Sequence, residues 1–317
     1  MKKSRTLLLI FTIIILIVLD LFGDKILSGD LSGLSFIILN FRLPRLLIVL
    51  IAGVAISISG ALVQNISLNP LADSGMLGFT SGASFAIVLL IFISEKFTMP
   101  SWTTYLYPAC AVIGACLAYF LLSGLAMGKN FSQLRLILSG LAITAIFQSL
   151  ITILQLTLNS FDFQKLAIWL TGDVWLTDYK YIIFLTTCLV FGLLALPFFF
   201  NRLDGLALGQ ELATSLGIDV EKTIKQLFFL TLVFTSIGVA AVGAVSFVGL
   251  ISPHIARSLT SFKARNRLFY TGLVGVIIML LADIIAKNII SPSTLPLGFV
   301  VALIGAPYFV FLINRKV

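Results

Sequence analysis

The chain has 317 residues, of which 59% are hydrophobic and only 11% charged, with a mean hydropathy of +1.13 and a formal net charge of +8. An average soluble domain carries about 25% charged residues, so no soluble fold of this length has interior enough for this apolar surface. The excess must face lipid, and the fold expected is an all-α membrane protein built on roughly 20 apolar residues per span.

The N-terminus reads Met1-Lys2-Lys3-Ser4-Arg5 and then runs apolar from Leu7 to Phe22. A signal peptide also opens on positive charge. Here no small-x-small cleavage site follows and the run is long enough to span, which predicts a retained first helix with its N-terminus in the cytoplasm. Apolar stretches then fall near 7–23, 46–66, 76–93, 105–127, 134–157, 180–200, 226–245, 246–259, 270–290 and 296–314. That predicts about ten crossings in one polytopic domain covering 1–317, with both termini cytoplasmic. The stretch 246–259 is short for a full crossing. A half-helix or re-entrant turn is an alternative there, provided it is buried in protein.

The charges agree with this topology. Inside segments hold 14 basic residues: Lys2, Lys3, Arg5, Lys129, Arg135, Arg202, Lys222, Lys225, Arg257, Lys263, Arg265, Arg267, Arg315 and Lys316. Outside segments hold seven: Lys25, Arg42, Arg45, Lys96, Lys165, Lys180 and Lys287. The excess inside is the bias that orients membrane proteins. The positive charges form no single patch, so nucleic acid is not an expected partner. Many of the 24 glycines, among them Gly53, Gly60, Gly114, Gly238, Gly272 and Gly275, lie in apolar runs, where small residues let membrane helices approach closely.

Catalytic chemistry is missing. One histidine, His254, cannot make a metal site alone, and Cys110, Cys116 and Cys188 lie in apolar runs without CxxC spacing. Gly124-Leu-Ala-Met-Gly-Lys129-Asn130 is no P-loop, because the gap is wrong and the Ser/Thr that holds magnesium is absent. The chain is expected to be no enzyme, to hold no metal and to need no cofactor; any ATPase must be another chain.

Four segments carry the informative residues. Arg42-Leu-Pro44-Arg45 places two arginines at an outer helix mouth, with Pro44 suited to a first helical turn. Snorkelling to the interface is one reading; bidentate capture of carboxylates on an extracytoplasmic partner is the other. Gln64 and Asn65 lie deep in an apolar run that Asn69-Pro70 should end, followed by Asp73 and by Ser81-Gly82. Polar groups at that depth either bond between helices or line a path. The polar segment Leu208-Gly209-Gln-Glu211-Leu-Ala213-Thr-Ser-Leu216-Gly217 predicts a short helix with Glu211 early and Gly217 as C-cap, suited to a partner groove. Pro253 and Gly249 are expected to bend or break a helix before Arg257, and Asp283 and Lys287 are spaced for an i, i+4 ion pair.

Together these segments resemble the permease family of iron-siderophore, heme and vitamin B12 ABC importers. The resemblance rests on Arg42-Leu-Pro-Arg45, Gly60-Ala-Leu-Val-Gln64, Asn69-Pro-Leu-Ala-Asp73 and Gly78-Phe-Thr-Ser-Gly-Ala83, then on Leu208-Gly…Ala213…Leu216-Gly217 and Phe247-Val-Gly-Leu-Ile-Ser-Pro-His-Ile-Ala-Arg257. Leu281-Ala-Asp283 and Leu295-Pro-Leu-Gly298…Gly305-Ala-Pro307 complete it, in order from Arg42 to the C-terminus. It implies ten helices, a second permease subunit (an identical or a sister chain) with the path at their interface, and two ATPase subunits on the cytoplasmic side. It also implies a substrate-binding lipoprotein or periplasmic protein outside. Arg42, Arg45 and Lys287 then match cations that receive the binding protein's glutamates, Lys287 standing where the vitamin B12 permease has arginine. The region 203–225, with Leu208, Gly209, Glu211, Ala213, Leu216 and Gly217, matches the ATPase coupling segment, and Arg257 opens a second contact. Gln64, Asn69, Pro70, Asp73, Ser81 and Gly82 are path or gate candidates. The chain departs from the family between 258 and 269, where glycine is usual at Thr260 and His-Arg at Ala264-Arg265. The cargo expected is a ferric siderophore in a bacterial cytoplasmic membrane, with heme and cobalamin as alternatives. An ion-coupled secondary transporter would need mid-membrane ionisable residues and often internal repeats; only Asp283 is a candidate.

Overall fold

A computed structural model describes residues 2–28, 34–97, 99–126, 133–174, 178–260, 263–290 and 293–314. Lys129, Arg315 and Lys316, part of the charge pattern above, lie outside them. The described residues form helices and no strand. In chain order these are α1 (Lys2–Ser28), α2 (Leu34–Ile37), α3 (Leu43–Ser67), α4 (Phe79–Lys96), α5 (Tyr107–Ala126), α6 (Gln133–Leu156) and α7 (Ser160–Leu170). They continue with α8 (Tyr179–Ala195), α9 (Phe200–Leu206), α10 (Gln210–Ser215), α11 (Val220–Val242), α12 (Val248–Leu259), α13 (Ala264–Asn288) and α14 (Leu297–Asn314). Eight stretches are long and apolar enough to cross a membrane, carried by α1, α3, α4, α5, α6, α8, α11 and α13. Among the described residues this is short of the expected ten, and α14 adds one shorter apolar helix. The chain is a multi-pass membrane protein.

The centre of the bundle is α3, packed against α11, α12 and α13 and buried along nearly its whole length. Its small residues set the spacing. A side-chain carbon at Gly53 would press on the backbone of Gly275 and Val276 at 3.0 Å, and one at Gly60 would collide with the backbone of Gly249. Such close crossings replace the hydrophobic drive that lipid removes. Ser59 and Thr235 add a hydroxyl–hydroxyl bond of 2.7 Å between α3 and α11. The outer helices α1, α5, α6 and α8 keep exposed faces of leucine, isoleucine and phenylalanine, as lipid-facing helices must.

Local signals act as the sequence predicts. Pro44 sits in the first turn of α3, and α3 stops at Ser67 with Leu68 left-handed just before Asn69-Pro70. The region 226–259 does divide into two helices, but the division falls at 243–247, where Gly243 and Phe247 both take positive φ. Of the expected bend or break at Pro253, the break does not occur: α12 runs through it. The proline lacks the N–H that would take the Gly249 carbonyl, and the Gly60 backbone packs against that carbonyl.

Candidate functional site

At the expected outer end, the start of α3, the end of α13, α1 and the turn after α7 converge on a charge cluster. The Nε and NH2 groups of Arg45 both lie 2.9 Å from Asp283 Oδ1, and NH2 lies 3.9 Å from Asp173. Lys287 Nζ is 2.6 Å from the other Asp283 oxygen and 2.8 Å from Asp20. The side chains of Asp20 and Asp283 are fully buried, and those of Arg45 and Lys287 are 16% and 19% exposed. Burial raises the Asp173 carboxyl above its ordinary value, opposed by the charge of Arg45. Three carboxylates and two cations therefore meet where sequence reasoning placed an exposed basic face. Arg45 and Lys287 come together, but on acids of their own chain. Arg42 stands apart and donates to the Leu21 carbonyl at 2.8 Å. Asp20 and Asp173 were not foreseen; the available signal was a lone acid within the apolar run of α1.

The path candidates separate into two places. Asn69 closes the turn after α3, its side chain accepting the Leu71 N–H at 2.9 Å and Pro70 following in the turn. Asp73 caps the 3-10 turn Ser74–Leu77, with one carboxylate oxygen buried against Gly249 and unpartnered. Ser81 donates to the Gly78 carbonyl at 3.0 Å, and Gly82 packs on Gly114 of α5. These two seal the α4–α5 crossing and do not join Gln64. Gln64 is instead brought to Arg257: both line a cavity at the other end of α3, together with Asn65, Ala207 and Arg267. Sequence spacing gave no sign of this meeting.

The segment between α9 and α11 is built for display. Gly209, at φ +103°, turns the chain into α10, Glu211 lies in its first turn, and Ala213 is fully buried beneath it. The helix ends as expected at Gly217, φ +78°: its N–H bonds Thr214 O at 2.9 Å and Ile218 N–H bonds Ala213 O at 3.1 Å, the paired closure that favours glycine. Leu208, Leu212 and Leu216 are 57–64% exposed. Leu212 was missed in the sequence, although its i, i+4 relation to its two partners was the signal. Among the described residues no group of His, Cys, Asp and Glu could hold a metal ion.

Comparisons with known proteins agree with this architecture. The chain is 37% identical over 283 residues to an iron(3+)-hydroxamate import system permease protein of Bacillus subtilis, covering 89% of this chain and 84% of that one. It is 37% identical over 281 residues to an Fe(3+) dicitrate transport system permease protein of Escherichia coli, covering 88% and 86%. A solved inward-facing conformation of a metal-chelate type ABC transporter matches with a TM-score of 0.85 at 27% identity, over 99% of this chain and 100% of that chain. The model of the FecCD transport family matches residues 6–315, and the chain belongs to that family.

Proposed function

We propose that this chain is the membrane-spanning permease subunit of an ATP-binding-cassette importer that carries a ferric siderophore across a bacterial cytoplasmic membrane by alternating access. The observation that carries the reading is the exposure of Leu208, Leu212 and Leu216, which stand before, within and just after the short helix α10. Exposed apolar groups outside a membrane-length helix are the mark of a partner surface, here that of an ATPase subunit. The family and the hydroxamate and dicitrate relatives support the choice of cargo. The working assembly pairs this single domain with an identical or sister permease, two ATPase subunits and an extracytoplasmic binding protein. Both termini and the 203–225 coupling region lie in the cytoplasm. Arg257 belongs to the second ATPase contact, and Gln64 with the turn through Asn69, Pro70 and Asp73 belongs to the gate. Ser81 and Gly82 support that turn from α4. Arg42, Arg45 and Lys287 are the docking cations, and Arg45 and Lys287 dock a partner by exchanging internal carboxylates for its own.

Reconstitution with the ATPase and binding protein encoded beside it, in vesicles loaded with ATP, should give uptake of a labelled ferric hydroxamate or citrate. Uptake driven by an ion gradient without ATP, or purification that never retains an ATPase, would sink the reading.

A further inference from the structure

A cavity of about 330 Å³ opens between the last turn of α3, the end of α9 and the facing ends of α12 and α13. Two guanidinium groups line it, Arg257 and Arg267, close enough to act on each other electrostatically. Among the described residues no carboxylate lines it. The acid that acts on Arg267, Asp204, commits Oδ1 to the Ala264 N–H at 2.6 Å. Asp204 therefore offsets Arg267, whereas no acid among the described residues acts on Arg257, whose exposed guanidinium shares the cavity with a second cation. The remaining valences also stay open. Arg267 gives one NH2 to Asn65 Oδ1 at 3.2 Å, but its Nε is buried without a partner. The Thr260 hydroxyl is buried and unpartnered as well. Gln64 is 1% exposed, and its amide nitrogen is held by the Leu250 carbonyl at 3.2 Å, which leaves Oε1 as a buried acceptor without a donor.

We propose that this cavity is an anion site for a phosphate group that keeps one P–O–H, as inorganic hydrogen phosphate does. The two guanidinium groups and the Thr260 hydroxyl meet the charged oxygens, for which the arginine fork is shaped. The P–O–H donates to Gln64 Oε1. A carboxylate or a sulfate satisfies the cations but leaves that acceptor unpaired, which weakens its binding. The site is selective because it combines donors with one fixed acceptor. The inference stands on the cavity alone and does not require the transport reading.

The test uses the full chain in its assembled transporter, in nanodiscs of zwitterionic lipid. Titration with inorganic phosphate, followed by calorimetry, should show a saturable component that disappears in Arg257→Gln. Because Arg257 is also assigned to an ATPase contact, the two preparations are matched for ATPase content before the difference is taken, so that phosphate sites on those subunits cancel. Sulfate and acetate should bind that component about tenfold more weakly. Gln64→Leu should abolish the phosphate-over-sulfate preference while cation-dependent binding persists, so a folding defect in the arginine variant does not decide the matter. A parallel preparation containing phosphatidate distinguishes the source. Selective retention of that lipid by wild type and not by Arg257→Gln assigns the phosphate to a headgroup, and free phosphate binding alone assigns it to solution. Absence of any difference between wild type and Arg257→Gln in both preparations overturns the site. Equal affinity for acetate or sulfate overturns the protonated-phosphate assignment, and a preference for acetate points instead to an acidic side chain of a partner.

Discussion

Arg45 straddles a single oxygen of Asp283, with Nε and NH2 each 2.9 Å from Oδ1. The second oxygen is thereby left to Lys287 at 2.6 Å. One carboxylate thus joins α3 to α13, and through Lys287 and Asp20 the connection reaches α1. The cluster is at once a candidate docking face and an internal fastening, and the two roles make different demands on substitution.

Asp283→Ala leaves two cations at a buried junction with one carboxylate fewer. Breaking a buried ion pair by removing one partner costs about 3–5 kcal/mol. A clear fall in the thermal unfolding midpoint in detergent is expected, larger than that for an exposed pair such as Lys225 with Glu221. An unchanged midpoint would remove the fastening role.

Arg42 and Arg45 should separate the two roles. Arg42→Glu is expected to weaken capture of the binding protein, by reversing a rim charge that steers association, and to lower stability less than Arg45→Glu does. Arg45→Glu should lower both, because it faces Asp283 and Asp173. Affinity for the binding protein and the unfolding midpoint, measured on both variants, check this. Equal docking by wild type and Arg42→Glu would exclude that arginine from the interface.

Leu212→Glu and Leu216→Glu place charge on the exposed face of the coupling segment without entering the core. Each is expected to loosen the ATPase subunits by at least about tenfold, as for an interface anchor worth 1–2 kcal/mol, with the unfolding midpoint unmoved. Co-purification ratio and transport-coupled ATP hydrolysis are the readouts. Full retention of ATPase with normal coupling would assign these leucines to solvent alone.

Gly60→Val drives a side chain into the Gly249 backbone, which cannot move aside as a flexible side chain would. Overpacking costs about 1–3 kcal/mol, and the upper end is expected here. Stability and uptake should fall together, and a second-site change of Ile56, which lies against Gly238 and Gly249, should not restore them. A variant of full stability would show that α3 and α12 separate more easily than their spacing indicates.

What could be read beforehand was local. Pro44 in a first turn, the stop before Asn69-Pro70, the Gly217 cap and the Asp283–Lys287 pair each depend on residues within about one helical turn. The continuity of α12 through Pro253 is instructive. The proline signals a bend or break locally, but Gly60, about 190 positions away in the chain, packs against the Gly249 carbonyl that it releases. The positive φ of Phe247 is a related case. Strain of about 1–3 kcal/mol at such a residue is offset by packing against Gly305 and Phe309 of α14, and nothing in the sequence announces it. The neutralisation of Arg45 by Asp283, and the meeting of Gln64 with Arg257, likewise require knowing which helices are neighbours.

The first helix has a further consequence for how the molecule is put together. Lipid wraps most of α1, yet polar clips hold it near both rims: Arg5 to the Leu259 carbonyl and Thr6 to Tyr270 at one, Asp20 to Lys287 at the other. It behaves as an outrigger lashed fore and aft, with Ile13, Leu16 and Ile17 seating its inner face on the bundle between the lashings. Its register is set by two grips on α13 and one on the end of α12, so its two tips stay in step with the helices they hold.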